Sequence, residues 1–205
     1  MDENQKDFER LKRAFNIKDG EDIWVFAYGS LMWNPDFVFE EVQPAHVCGY
    51  HRRFCLKCDY HRGKPEAHGL VLGLDRGGSC HGLAYRLAPQ HLHKALSMLW
   101  KREMWVADAY LPRRVPVTIN NDFENKIPAC VFVSNPKSSY YYDEKCRKKA
   151  AEIISKANGL RGSNFEYLER TVHSLRDYDI HDPQIEDIYN HTLTSQDALV
   201  TAEIS

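Results

Sequence analysis

"HGLVLGLDRGGSCHGLAYRL", residues His68 to Leu87, decides how the chain is read. Two apolar stretches, His68–Leu74 and His81–Leu87, flank a short polar segment containing Gly77-Gly78-Ser79. Leucine, valine and tyrosine in short runs bounded by glycine are strand signals, and a glycine pair between two such runs signals a tight turn. The stretch therefore predicts an antiparallel hairpin turning at Gly77-Gly78, with a strand-rich body around it.

Working outward, further segments have the same character: IWVFAYG (23–29), HRRFCLKCDY (51–60), RRVPVTI (113–119) and ACVFV (129–133). One helix interrupts them, from Pro89, an acceptable first helical position, to about Trp105. Ahead of the strands, Phe8, Leu11 and Phe15 at i, i+3 and i+7 predict an amphipathic lead helix. The tail is helical. Asp143 is placed to cap a helix running to Ala157, with Gly159 as its left-handed C-terminal residue. Ser163 and Glu166 have capping-box spacing, with Leu168, Val172 and Leu175 on the buried face of the helix they open. Asp182-Pro183 starts a last short helix through Tyr189. Strands first and helices after predict an α+β fold. The division expected is a helical lead over 1–20, a single domain over 21–192 and a tail over 193–205.

Composition narrows the function classes. With 205 residues, 43% of them hydrophobic, the chain is long enough to bury a core. A net charge of −2, with both signs mixed along the chain, gives no reason to expect a nucleic acid or an anionic membrane as partner. No apolar run approaches the roughly 18 residues of a membrane helix, and MDENQKDFERLKR has none of the character of a signal peptide. The expectation is a cytoplasmic protein whose six cysteines stay reduced.

His46, Cys48, His51, Cys55, Cys58 and His61 crowd one stretch, and Cys55-Leu56-Lys57-Cys58 is a CxxC. On a strand, however, Cys55 and Cys58 point to opposite faces, whereas zinc needs its ligands to converge. No second CxxC with matching spacing exists, and no helix starts there to lower a thiol pKa. Phosphate-binding glycine motifs and GxSxG are absent.

Two places carry a chemical signal. In WVFAYGSLMW (24–33) an apolar strand breaks at Tyr28-Gly29-Ser30, a turn able to present consecutive backbone N–H groups to an anion. In the helix PQHLHKALSMLWKREMW, Leu92, Leu96, Leu99 and Glu103 share one face. A carboxylate closing an apolar stripe is partly desolvated, which raises its pKa and suits it to proton transfer near neutral pH. Lys101 and Arg102 are close in sequence, but i±1 and i±2 neighbours on a helix point elsewhere.

YGSL (28–31), RRFCL, HRGKPE, GLVLGL, GGSCHGLAYR, KREMW and GSNFEYL occur in the order found in the ChaC family, the glutathione-specific γ-glutamylcyclotransferases. The chain resembles that family from about residue 23 to 190. The resemblance implies a γ-glutamylcyclotransferase-like fold, a small mixed barrel-like sheet with flanking helices. It also implies a lyase reaction in which the γ-glutamyl group of glutathione cyclises, releasing 5-oxoproline and Cys-Gly. It implies no cofactor and no metal, because the nucleophile is the substrate's own amine.

Residue by residue, the resemblance makes Glu103 the general acid/base. It makes Val25, Phe26, Ala27, Tyr28, Gly29, Ser30 and Leu31 the lining that holds the γ-glutamyl head. Arg62, in HRGKPE, would pair with the glycine carboxylate, and Tyr141, after Asn135-Pro136, would hydrogen-bond substrate. Tyr141-Tyr142-Asp143 stands where the family usually has Tyr-Leu-Gly, and Lys64 and His68 replace its threonine and proline. Asn164 and Tyr167 read as structural. Two alternatives stay open: a cyclotransferase of other γ-glutamyl peptides or amines, and a non-catalytic zinc- or ligand-binding module.

Overall fold

Gly77 and Gly78 do not turn the chain. In the computed structural model, which describes residues 2–203 other than 105, 107, 121 and 123, with side chains up to 195, they lie inside one continuous strand, Gly69–Leu87. Both have positive φ, 95° and 67°. Left-handed glycines within a strand kink it as bulges do, without ending its pairing. The expected hairpin is thereby overturned. The partner of the strand's distal part is the preceding strand, against which His51 Nδ1 meets Gly77 O at 3.0 Å.

The chain divides into two compact units, Met1–Arg52 with Leu74–Ser138, and Arg53–Gly73 with Ser139–Ser205. The first begins with α1, Glu3–Ala14, capped by the Asp2 side chain on the Gln5 N–H, with Glu3 in its first turn and Lys12 and Arg13 in its last. That arrangement satisfies an orphan donor and complements the helix dipole. Leu11 and Phe15 are buried as the periodicity predicts, and Phe15 meets Phe132 edge to face, centroids 5.5 Å apart.

The strands are β1, Trp24–Ala27; β2, Phe39–Cys58; β3, Gly69–Leu87; β4, Tyr110–Ile119; and β5, Lys126–Ser134. They close a barrel in the order β1-β3-β2-β4-β5. β1 is antiparallel to β3 and parallel to β5, so the sheet is mixed. β2 begins at Phe39, well before the expected start at His51. Its first residues mix apolar and charged: Phe39 meets the Tyr85 ring of β3 with centroids 4.9 Å apart, and Glu40 and Glu41 pair with Arg86 of β3 at 2.8 and 3.1 Å. A single 3₁₀ turn over Pro89–His91 leads into α2, Leu92–Glu103. Trp105, the expected end of that helix, lies outside the described residues.

The second unit contains the end of β2 (Arg53–Cys58) and the start of β3 (Gly69–Gly73), then α3, Arg147–Lys156; a two-residue pair β6, Asn158–Gly159, and β7, Gly162–Ser163; α4, Asn164–Asp177; and α5, Pro183–Glu203. α3 starts at Arg147, not at Asp143. The intervening chain is held on β2: Lys57 N–H donates to Tyr140 O and Tyr142 N–H to Cys55 O, both at 2.8 Å, so Asp143 is still leaving an extended segment. Gly159 is not left-handed either. Ala157 leaves α3 extended and its carbonyl accepts the Asn164 N–H at 2.9 Å, closing a hairpin whose left-handed residue is Gly162, φ 98°. Ser163 does cap α4, accepting from the Glu166 N–H at 3.0 Å. α5 continues well past Tyr189.

Candidate active site

β1 is the strand that leads to the site. Val25, Phe26 and Ala27 are buried between β3 and β5, in register with Tyr85, Ala84 and Leu83 on one side and with Cys130 opposite Val25 on the other. A short strand paired on both edges is held rigidly, and it delivers Tyr28 to the barrel's end. The Tyr28 hydroxyl donates to Phe132 O of β5 at 2.7 Å, fixing the ring. Ser30–Met32 then form one 3₁₀ turn, in which Met32 N–H donates to Gly29 O at 2.8 Å. The N–H groups of Ser30 and Leu31 precede that first bond and so have no partner within the turn.

Arg52 braces this turn from beneath. Its side chain is 3% exposed; Nε donates to Tyr28 O at 2.5 Å and Nη2 to His81 O at 2.6 Å. A guanidinium satisfied by backbone carbonyls is one way to keep a buried charge hydrogen-bonded. The sequence reading did not single out Arg52. Its only signal was an arginine at an inward-facing position of a strand.

Glu103 is the last residue of α2, whose Leu96 and Leu99 are buried beneath it. Its side chain is 14% exposed. Burial pushes its carboxyl above the usual carboxylate range, and the Arg102 guanidinium opposes that shift. The contact with Arg102 corrects the sequence reading. Arg102 Nε lies 3.4 Å from Glu103 Oε1, although adjacent helical residues were expected to diverge. The helix ends at Glu103, and the long arginine side chain folds toward the turn, where Nη2 donates to Ser30 Oγ at 2.8 Å and Nη1 to Asn34 O at 2.6 Å. One guanidinium thereby connects the Tyr28–Leu31 turn to the carboxylate.

Arg62 and Tyr141 belong to the second unit. Arg62 Nη1 donates to Ser163 O and to Glu166 Oε2, each at 3.0 Å, and its guanidinium lies over the Tyr167 ring at 5.7 Å. Glu166 has a second cation, Arg170, at 2.7 Å. The Tyr141 hydroxyl accepts from Arg53 Nη2 at 2.7 Å. Asn164 is fully buried and clamps Leu70, accepting its N–H at 2.6 Å and donating to its carbonyl at 2.7 Å. Among the described residues, no group of three His, Cys, Asp or Glu side chains is arranged to hold a metal ion, and no helix is long and apolar enough to cross a membrane. Cys55 and Cys58 are both buried in β2.

Comparison with known proteins identifies the family of the chain. The chain is 37% identical over 146 residues to the glutathione-specific γ-glutamylcyclotransferase of Escherichia coli, covering 71% of this chain and 62% of that protein's length. It is 32% identical over 157 residues to human glutathione-specific γ-glutamylcyclotransferase 1, covering 76% of this chain and 70% of the relative. The crystal structure of a glutathione-specific γ-glutamyl cyclotransferase from yeast superposes with a TM-score of 0.78 at 20% identity, over 85% of this chain and 97% of that one, so the two share a fold. The family model described as ChaC-like protein matches residues 23–195, and the chain belongs to that family.

Proposed function

We propose that the protein is a glutathione-specific γ-glutamylcyclotransferase, a cytoplasmic lyase acting on a small molecule without nucleic acid, membrane or cofactor. The observation that carries this reading is Glu103, a partly buried carboxylate with a raised pKa, joined through Arg102 to the turn after β1. The sequence similarity to enzymes of that name supports the substrate.

The chemistry follows from the substrate. The γ-glutamyl α-ammonium gives a proton to the Glu103 carboxylate, and the freed amine attacks the γ-carbonyl carbon within the same molecule. The new C–N bond closes a five-membered ring, and the carbonyl oxygen becomes an oxyanion. On collapse, the bond to the cysteinyl nitrogen breaks, protonated Glu103 returns its proton to that leaving amine, and the ring nitrogen gives up its second proton, which leaves Cys-Gly as its ammonium and the lactam neutral. The products are 5-oxoproline and Cys-Gly, and Glu103 ends ionised as it began. Because the nucleophile is intramolecular, the protein supplies orientation and proton transfer. Val25 to Leu31 hold the γ-glutamyl head. An N–H of the turn directed at the oxyanion is worth roughly 3 kcal/mol.

Arg62 and Tyr141 are proposed as contacts to the remainder of the substrate on the family resemblance. Arg62 is suited to a carboxylate by its planar fork. Since Glu166 is also paired with Arg170, it keeps a cation if Arg62 turns to substrate. The test is 5-oxoproline release by the purified protein from glutathione, γ-Glu-Ala and γ-Glu-ε-Lys in parallel. Release from glutathione alone is expected. Preference for either other compound would move the assignment to a broader γ-glutamyl substrate class, and no release from any would end the enzymatic reading.

A further inference from the structure

We propose that Arg102 is a positioning residue for this reaction: its guanidinium fixes the Glu103 carboxylate relative to Ser30 and turns the Ser30 hydroxyl into a directed donor toward the anionic head of the substrate. The inference deepens the cyclotransferase reading above and rests on it.

Three nitrogens of Arg102 meet three acceptors, Asn34 O at 2.6 Å, Ser30 Oγ at 2.8 Å and Glu103 Oε1 at 3.4 Å. A guanidinium is rigid and planar, so seating two of its nitrogens on the turn sets where the third can lie. The side chain is 18% exposed, so water competes weakly for these positions. Lysine, a single point charge on a flexible stem, cannot reproduce the arrangement.

The bond to Ser30 constrains a proton. A serine hydroxyl has one hydrogen to donate and two lone pairs. With an arginine N–H on Oγ, one lone pair is occupied, and the hydroxyl hydrogen is directed away from the guanidinium. A donor polarised by a cation suits the α-carboxylate carried by every γ-glutamyl compound.

The contact with Glu103 is long. At 3.4 Å through one nitrogen, Arg102 orients the carboxylate without clamping both oxygens, and Oε2 remains for the substrate's ammonium. A bidentate pair would hold the group ionised and poorly basic. Other charged groups on the neighbouring elements are engaged elsewhere: Lys101 donates to Asn4 of α1 at 2.6 Å, and Arg10 pairs with Asp7 at 3.1 Å. Tyr28 of the turn donates its hydroxyl to Phe132 O. Among the described residues, Arg102 is the charged side chain in contact with Glu103.

The test compares wild type, Arg102→Met, Arg102→Lys, Ser30→Ala and the Ser30→Ala/Arg102→Met double variant. kcat and KM for 5-oxoproline release from glutathione are measured across about pH 5 to 9, with circular dichroism as the folding check. Arg102→Met is expected to lose about a hundredfold in kcat/KM. The acid limb of its profile moves to higher pH, because burial of Glu103 is then unopposed. Arg102→Lys returns the limb toward its wild-type position and recovers little of the rate. The double variant loses far less than the product of the two single losses, since both remove one contact. A folded Arg102→Met variant within twofold of wild type, or one whose acid limb does not move, overturns the proposal. Should Arg102→Met fail to fold, Arg102→Lys decides: a tenfold or larger loss with the limb in place supports the proposal, and wild-type kinetics overturn it. Glu103→Gln separates this from the underlying reading, because inactive wild type or fully active Glu103→Gln would fail that reading whatever Arg102 does.

Discussion

Removing the Asn164 amide should unlatch the second unit. In Asn164→Ala, two hydrogen bonds disappear, the Leu70 N–H at 2.6 Å and the Leu70 carbonyl at 2.7 Å. Asn164 is fully buried, so both backbone groups become orphans in a dry site. An unsatisfied buried group costs about 1–3 kcal/mol, so two of them total about 2–6 kcal/mol. A water entering the vacated space would recover part of that, which puts the expected loss at about 3 kcal/mol. For a chain of this length, each kcal/mol moves Tm by about 2–4 °C, so Tm should fall by about 6–12 °C. Urea unfolding followed by circular dichroism gives the free energy, and amide exchange of Leu70 reports the site itself. Asn164→Asp keeps one acceptor but sets a carboxylate oxygen against the Leu70 carbonyl. It should lose at least as much at neutral pH, and recover as the pH is lowered and the carboxyl takes a proton. A loss below about 1 kcal/mol in the alanine variant, with Leu70 still protected, would refute the reasoning.

Three further outcomes are expected. In Gly82→Ala the new Cβ would stand 2.2 Å from Ala27 O and 3.0 Å from the Phe26 ring, so β1 must shift. Overpacking of this kind costs about 1–3 kcal/mol, and thermal melts should show it together with reduced turnover; a wild-type melt would contradict it. Glu103→Gln should be more stable than wild type at pH 8 and equal to it at pH 4. The raised carboxyl pKa contributes stability that is intact below the ordinary value of 4.5 and lost as pH rises through the folded value, and Gln removes the titration. Equal Tm differences at both pH values would refute this. With a thiol reagent, Cys48 and Cys146 should react in the native protein, while Cys55, Cys58, Cys80 and Cys130 wait for denaturant. Burial pushes the Cys130 thiol up to about 12, so it should be the least reactive; rapid native labelling of all six would contradict the packing.

What the sequence made legible was local in cause. Leu92, Leu96, Leu99 and Glu103 repeat with the helix period, and the structure buries Leu96 and Leu99 with Glu103 closing the stripe. The apolar β1, β4 and β5 announced themselves in the same way. What escaped depended on partners distant in sequence. Gly77-Gly78 carries the chemistry of a turn and of a strand kink equally, and pairing with β2 decided for the kink. Asp143 can cap a helix, but bonds from β2 to Tyr140 and Tyr142 delay the helix to Arg147. The charged residues at the start of β2 became intelligible only with Arg86 across from Glu40 and Glu41. At the site, the turn and the carboxylate were visible in the sequence, whereas the two arginines that brace them were not. Arg52 and Arg102 act through carbonyls and a hydroxyl far along the chain, and no spacing rule encodes such contacts.

The most direct measurement is isotopic: glutathione turnover in water enriched in oxygen-18, with both possible γ-glutamyl products analysed by mass spectrometry. Intramolecular cyclisation promoted by Glu103 predicts 5-oxoproline without solvent oxygen, one Cys-Gly for each, and neither product from a folded Glu103→Gln variant. Glutamate carrying oxygen-18, or undiminished 5-oxoproline from that variant, would contradict it.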